Sequence, residues 1–324
     1  MVAASATVAV GSTVTTSLLM MSRTVVMATS KPRPRRLGRK ALLRWYAPRR
    51  RAYPWRTTRD PYRILVSEVL LQQTQASRVA PAYGPFLARF PTVHSLAGAR
   101  LRDVVAAWQG LGYNRRAVAL WEAARTVVRD HEGRVPDGPV EMERLTGVGP
   151  YTAAAVSSVA FGQAVAAVDT NTRRIVARFF LGEEPEGVSP RAIRELADAW
   201  LDRRDPGVWN QAVMDLGRER CRPRPRCGAC PLRAVCRFAA EGREPASTGR
   251  RQPVFEGSLR QVRGAVVRTL IDREGASLAT LSHETGVPLE RVGQAVSALA
   301  ADGLVVAGPA ARAGRPGGRV RLPG

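Results

Sequence analysis

Two acidic residues in contrasting settings are the first candidates for chemistry. Glu68 lies in Arg63-Ile-Leu-Val-Ser-Glu-Val-Leu-Leu-Gln-Gln-Thr-Gln75. On a helix its neighbours three and four positions away are Ile64, Leu65 and Leu71, so the carboxyl stands on a largely apolar face. Burial there raises a carboxyl pKa and keeps it protonated, the state a general acid needs. Asp169 follows the apolar run Ala164–Val168 and precedes Thr-Asn-Thr-Arg-Arg-Ile. That position caps a helix N-terminus, where free amides and the helix dipole favour the ionised form. Two carboxyls pushed in opposite directions suit cleavage of a glycosidic bond through an oxocarbenium-like transition state. Each also has a plainer reading: a simple cap for Asp169, and for Glu68 burial against one of the many arginines.

All four cysteines fall in one stretch, Cys221-x5-Cys227-x2-Cys230-x5-Cys236. Such clustering reads as a metal site in a reducing compartment, because disulfides that staple a secreted fold are spread along the chain. Four thiolates can hold either a [4Fe–4S] cluster or a tetrahedral zinc ion. Arg218, Arg220, Arg222, Arg224 and Arg226 flank the first cysteines, so the loop is strongly basic and could also touch phosphates.

A third constellation is Leu145-Thr-Gly-Val-Gly-Pro-Tyr-Thr-Ala153. Gly147 and Gly149 on either side of Val148 let the backbone turn tightly between two helices. The amides that open the second helix then face outward, where its dipole favours a phosphate. A fourth set could handle an unstacked base: Gln72 and Gln73 one turn after Glu68, Tyr113 after Gly110-Leu-Gly112, and Trp55 and Arg56 after Pro54. Wedging side chains fill the gap left by a flipped nucleotide, and amides read base edges. Taken singly, each is as readily a core or surface residue.

The elements that must position these groups are helical. From about residue 57 to 240 apolar residues recur at three and four, as in Ile64–Ala80, Leu101–Trp108, Arg115–Arg129, Tyr151–Phe161 and Pro190–Leu201, with no sustained strand alternation. The 324 residues, 45% hydrophobic, suffice for a catalytic domain of about 200 residues plus a smaller appendix. Fifty basic against twenty-seven acidic residues give a formal charge of +23. An excess of that size points to a polyanionic partner, above all nucleic acid. Lys31 and Lys40 are the only lysines, so an arginine-biased composition contributes to the charge and no lysine beyond residue 40 is available for a Schiff base.

Residues 1–22 carry no charge and no basic leader, and Ser and Thr interrupt their apolar content, so neither a signal peptide nor a membrane span is expected. Residues 31–51 hold ten Lys/Arg and no acid. Residues 1–36 therefore read as a disordered basic arm, or as sequence ahead of a later start at Met20, Met21 or Met27. A linker is expected at 241–257. Beyond it three short helices and a Gly-rich basic hairpin read as a winged-helix-like module, 258–324.

Taken in order, Tyr53-Pro-Trp-Arg56, Asp60-Pro-Tyr62, Ser67–Gln75, Trp108–Tyr113, Leu145–Tyr151, Val168–Asn171, Trp209–Gly217 and the cysteine loop strongly resemble the helix-hairpin-helix (HhH-GPD, endonuclease III-like) base-excision DNA glycosylases. Within that superfamily the MutY-like adenine glycosylases are the branch most resembled. The resemblance implies a mostly α, two-lobed fold over residues 37–240, with the hairpin at 143–155 and a [4Fe–4S] loop at 221–236. It implies that Glu68 protonates a flipped adenine and Asp169 stabilises the sugar cation, with Tyr151 and Asn171 in support. Trp55, Arg56, Leu71 and Gln211 would line the base pocket. Gln72, Gln73, Tyr113 and the Gly147-Val148-Gly149 turn would contact DNA, and Cys221, Cys227, Cys230 and Cys236 would hold the cluster. Tyr151 stands where lyase-competent relatives carry lysine, so strand cleavage is not implied. The implied partner is double-stranded DNA with adenine opposite guanine or 8-oxoguanine, met by a monomeric cytoplasmic, nucleoid-associated enzyme.

The sequence departs from the family in three places. The first cysteine gap is five residues where six is usual, Asn114 replaces a second tyrosine, and residues 258–324 do not look like the Nudix-like domain that inspects 8-oxoguanine. A thymine or uracil glycosylase for G·T and G·U mismatches is the sibling reading. A non-catalytic, metal-containing DNA-binding protein is the reading from another class.

Overall fold

The computed structural model describes residues 32–245 and 254–324. Helix α1 spans Pro32–Tyr46. It is followed by α2 (Pro61–Leu71), α3 (Ala76–Arg89), α4 (Val93–Ala97), α5 (Leu101–Ala107), α6 (Arg115–Asp130), α7 (Pro139–Met142) and α8 (Pro150–Ala160). Then come α9 (Thr170–Val176), α10 (Pro190–Trp200), α11 (Pro206–Glu219) and α12 (Arg237–Ala240). The C-terminal stretch holds α13 (Leu259–Ile271), β1 (Ala276–Ser277), α14 (Leu278–Thr285), α15 (Leu289–Ala301), β2 (Val306–Ala307), α16 (Pro309–Arg312) and β3 (Arg319–Arg321). No described helix is long and apolar enough to cross a membrane.

Local chemistry sets most helix starts. Proline, whose missing N–H is no loss in a first turn, opens α2, α7, α8, α10 and α11. Asp60, Asp169, Ser189 and Asp205 cap α2, α9, α10 and α11, each accepting from the amide three residues on. The expected arm of residues 1–36 lies outside the described residues up to residue 31, but Pro32 to Arg36 already form the first turns of α1. The expected helix Ile64–Ala80 is two helices, broken after Leu71 where Gln73 takes a left-handed φ of 55°.

The described residues divide into two compact units, one from residues 32–51 and 164–245 and the other from 52–163 and 254–324. In the first, Trp200 stacks on Phe179 at 4.9 Å and meets Trp209 edge-on at 5.4 Å, within a cluster that includes Leu42, Ile175 and Leu216. In the second, α2 packs against α8 and α5 against α6.

The C-terminal segment forms an antiparallel sheet of order β1-β3-β2, with Ala276 opposite Val320 and Val306 opposite Arg321. The single turn α16 interrupts the expected basic hairpin between β2 and β3. Val262, Val266, Leu270 and Leu299 share one continuous core with Val104, Trp108 and Leu120. Arg102 of α5 also donates to Ile271 O at 2.8 Å. The segment thus completes its core on the neighbouring helices. Of the expected linker 241–257, residues 246–253 lie outside the described residues.

Candidate active site and cysteine loop

Asp169 ends the extended stretch 164–168 and caps α9. Its Oδ1 accepts from Thr172 N at 2.7 Å, and its Oδ2 accepts from Asn171 Nδ2 at 2.7 Å. The two bonds fix the orientation of the carboxylate from both of its oxygens. The approach to Asp169 is itself held. Asn210 of α11 clamps the stretch by accepting from Ala167 N at 2.8 Å and donating to Val165 O at 3.0 Å. Asp198 accepts from Ala166 N at 3.0 Å, and Thr172 Oγ1 donates to Ala167 O at 3.1 Å.

Asn171 is gripped from behind. Arg174 Nη2 donates to Asn171 Oδ1 at 2.8 Å, and its Nε donates to Cys221 O at 2.7 Å. Burial pulls the Arg174 pKa down. Gly217 lies so close that a Cβ there would sit 2.6 Å from Asn171 Cβ. Gln211 is half-buried and accepts from Tyr46 Oη at 3.1 Å.

Cys221, Cys227, Cys230 and Cys236 line one small cavity with Arg178 and Phe238. All four are free thiols. Burial pushes Cys230 up to about 12 and also raises Cys221 and Cys236. Thiols this reluctant to ionise become thiolates once a cation repays the desolvation. Arg178, 2% exposed, braces the loop: it donates to Arg222 O at 2.7 Å and Pro223 O at 2.9 Å and pairs with Glu184 at 2.7 Å. Among the described residues no three His, Cys, Asp or Glu side chains converge on a single-ion position. A zinc ion draws its ligands to one point at about 2.3 Å, whereas a multi-iron cluster needs them spread around a volume. Four thiols around one cavity are a donor set that either centre could use.

The remaining candidates belong to the other unit. Glu68 is half-buried on α2, with Ile64, Leu65, Val69 and Leu70 buried around it. Tyr151, also half-buried, opens α8, which packs on α2. Gln72, expected to face DNA, donates instead to Gly147 O at 3.1 Å and Thr152 Oγ1 at 3.2 Å, so it straps the end of α2 to the hairpin. In that hairpin Val148 and Leu145 are buried. Gly147 needs to be glycine twice over: its φ is +78°, and a Cβ would meet Ala119 Cβ at 2.6 Å. Gly149, by contrast, caps α8 with open space where a Cβ would stand.

Trp55, expected in the base pocket, is 5% exposed, stacked on Tyr53 at 4.8 Å and met edge-on by Tyr83 at 5.6 Å. Arg56 lies over the Tyr53 ring at 5.3 Å. Leu71 ends α2 half-buried. Gln73 and Tyr113 are exposed, and both have left-handed backbones, φ 55° and 50°.

The profile of the HhH-GPD superfamily base excision DNA repair proteins matches residues 66–202. The chain is 42% identical over 243 residues to the adenine DNA glycosylase of Mycobacterium tuberculosis, covering 73% of this chain and 79% of that one. The chain belongs to the adenine DNA glycosylases of the HhH-GPD superfamily. The Mycolicibacterium smegmatis adenine DNA glycosylase is 37% identical over 269 residues, covering 82% of this chain and 91% of its own length. Among solved structures, a thermostable thymine-DNA glycosylase superposes with a TM-score of 0.61 at 33% identity, over 64% of this chain and 98% of that one. In this chain Arg174, Asn210, Asp198 and Arg178 are supports that sequence reading missed. Their signal was diluted by the abundance of arginine and by partners far away in the chain.

Proposed function

We propose that this chain is a monofunctional adenine DNA glycosylase that hydrolyses the N-glycosidic bond of adenine opposite guanine or 8-oxoguanine. The observation that carries the chemistry is Asp169, aimed by a backbone amide and by Asn171 on a clamped segment. Glu68 donates its proton to N7 of an extruded adenine, so the base leaves as neutral adenine. Asp169 stabilises the positive charge that develops at C1′, through space or as a transient ester. Water then adds at C1′, and the products are free adenine and an abasic site. Asn171 orients Asp169, and Tyr151 supports the site from α8. No lysine follows Lys40, so the abasic sugar is not attacked by an amine and the strand stays intact.

Gly147-Val148-Gly149 and the first turn of α8 take a DNA phosphate, and Gln73 and Tyr113 press into the duplex. Cys221, Cys227, Cys230 and Cys236 hold a [4Fe–4S] cluster, which when bound gives the basic loop a fixed shape for phosphate contacts. The enzyme acts as a monomer on chromosomal DNA in the cytoplasm.

Single-turnover base release on one duplex series tests this reading. Adenine is placed opposite 8-oxoguanine, guanine and thymine, with thymine opposite guanine as control because a thymine-DNA glycosylase shares the fold. Alkali-dependent cleavage at adenine supports it, and cleavage at thymine supports the sibling activity. Glu68→Gln should bind duplex and release nothing; a Glu68→Gln protein as active as the parent overturns the general-acid role.

A further inference from the structure

Arg116 is the second residue of α6 and is only 9% exposed. No carboxylate pairs with it among the described residues. Its Nη1 donates to Val69 O and Leu70 O, both at 2.8 Å. Its Nη2 donates to Thr74 Oγ1 at 2.9 Å, Gly112 O at 3.0 Å and Leu111 O at 3.4 Å. The guanidinium carbon lies 5.3 Å from the Trp108 ring centroid and 5.6 Å from that of Tyr113. Burial pulls the Arg116 pKa down to about 10. A cation buried without an anion is a poor choice for packing alone, since an apolar side chain would fill the space at lower cost.

The carbonyls it takes explain its place. In a continued helix Val69 O and Leu70 O would accept from residues 73 and 74. Arg116 occupies them instead, at the negative end of the α2 dipole, and the chain turns off into Gln73 with its left-handed φ of 55°. On the other side the same guanidinium holds the 111–112 carbonyls, immediately before Tyr113 with φ 50°. Trp108 Nε1 adds a bond to Gly112 O at 3.1 Å. Positive φ is costly for residues with side chains and persists only where the surroundings impose it. One planar fork thus imposes both strained turns and ties them to the helix of Glu68.

We propose that Arg116 is a positioning residue that locks Gln73 and Tyr113, the two exposed residues that press into DNA, in register with the α2 end that carries Glu68. The assignment rests on the glycosylase reading for the roles of those three residues. A point charge cannot replace it, because only the guanidinium reaches three segments at once.

The test is a double-mutant cycle with four readouts: melting temperature, affinity for undamaged duplex, fluorescence of 2-aminopurine at the adenine position, and single-turnover adenine release. Arg116→Lys should leave duplex affinity within about twofold while the extrusion signal and the rate fall about tenfold or more, the scale of losing hydrogen bonds from a charged donor. In a Gln73→Ala, Tyr113→Ala background the same change should cost less than about threefold, because its effect runs through those residues. Thr74→Val removes one acceptor and keeps the cation; it should shift both signals in the same direction by less, and it decides the matter if Arg116→Lys does not fold. Losses that simply add in the cycle, or a rate that falls only with melting temperature while extrusion is intact, overturn the proposal. Should the wild-type chain release no adenine, the enzymatic reading fails, and the extrusion signal of wild type against Arg116→Lys still decides the positioning role.

Discussion

The Asn171 amide donates to Asp169 Oδ2 at 2.7 Å. The other carboxylate oxygen accepts from Thr172 N, so Asn171 and the helix start together aim the free lone pairs of Asp169. Asn171→Asp removes the donor and adds a like charge, so adenine release in single turnover should fall about 10- to 100-fold, the range of one charged hydrogen bond. Duplex affinity should change little, and a rate within twofold of wild type would remove Asn171 from the site.

Gly217 stands where a methyl group would reach to 2.6 Å from Asn171 Cβ. Gly217→Ala should therefore reduce the rate in the same way as Asn171 variants. It should also destabilise the fold by about 1–3 kcal/mol, the usual result of overpacking. Thermal unfolding and base release on one preparation check both.

The two hairpin glycines should respond differently. Gly147→Ala meets both a left-handed backbone and Ala119, so the melting temperature should drop along with duplex affinity. Gly149→Ala enters open space at φ −93°. It should melt like the parent, and any loss should appear in DNA affinity alone.

The cysteine loop should contain about four iron and four sulfide per chain, as a [4Fe–4S] centre requires. Iron and sulfide assays on protein purified without oxygen check this; one equivalent of zinc and no iron would mean the other donor chemistry. Cys230→Ser should lower metal content and duplex affinity together, because the unpaired buried thiols leave the loop without its organising cation.

Removing residues 254–324 should do more than delete an accessory surface. That stretch completes the core around Val104 and Trp108 and supplies the carbonyl that Arg102 holds. The truncated protein should melt at a lower temperature and expose apolar surface to a hydrophobic dye. Unchanged melting would show that residues 52–163 keep their core without it.

What the sequence determined by itself is local. Asp169 follows an apolar run and precedes Thr-Asn-Thr-Arg-Arg-Ile, so neighbouring residues alone suffice to put it at the head of a helix. Four thiols within sixteen residues read as a metal loop on composition alone. The tertiary structure decided the contacts between distant positions. Asn210 clamps Ala167 from 43 residues away, Arg116 stops α2 from 47 residues away, and Arg102 caps Ile271 from 169 residues away. No periodicity encodes such pairs, and in a chain with this much arginine nothing local distinguishes Arg116 or Arg174 from the rest. For the same reason the sequence did not show that Trp55 is buried against Tyr53 and Tyr83, or that Gln72 is tied to Gly147 and Thr152. An aromatic ring or an amide has the same appearance in a sequence whether its partner is DNA or its own core, and only packing chooses between them.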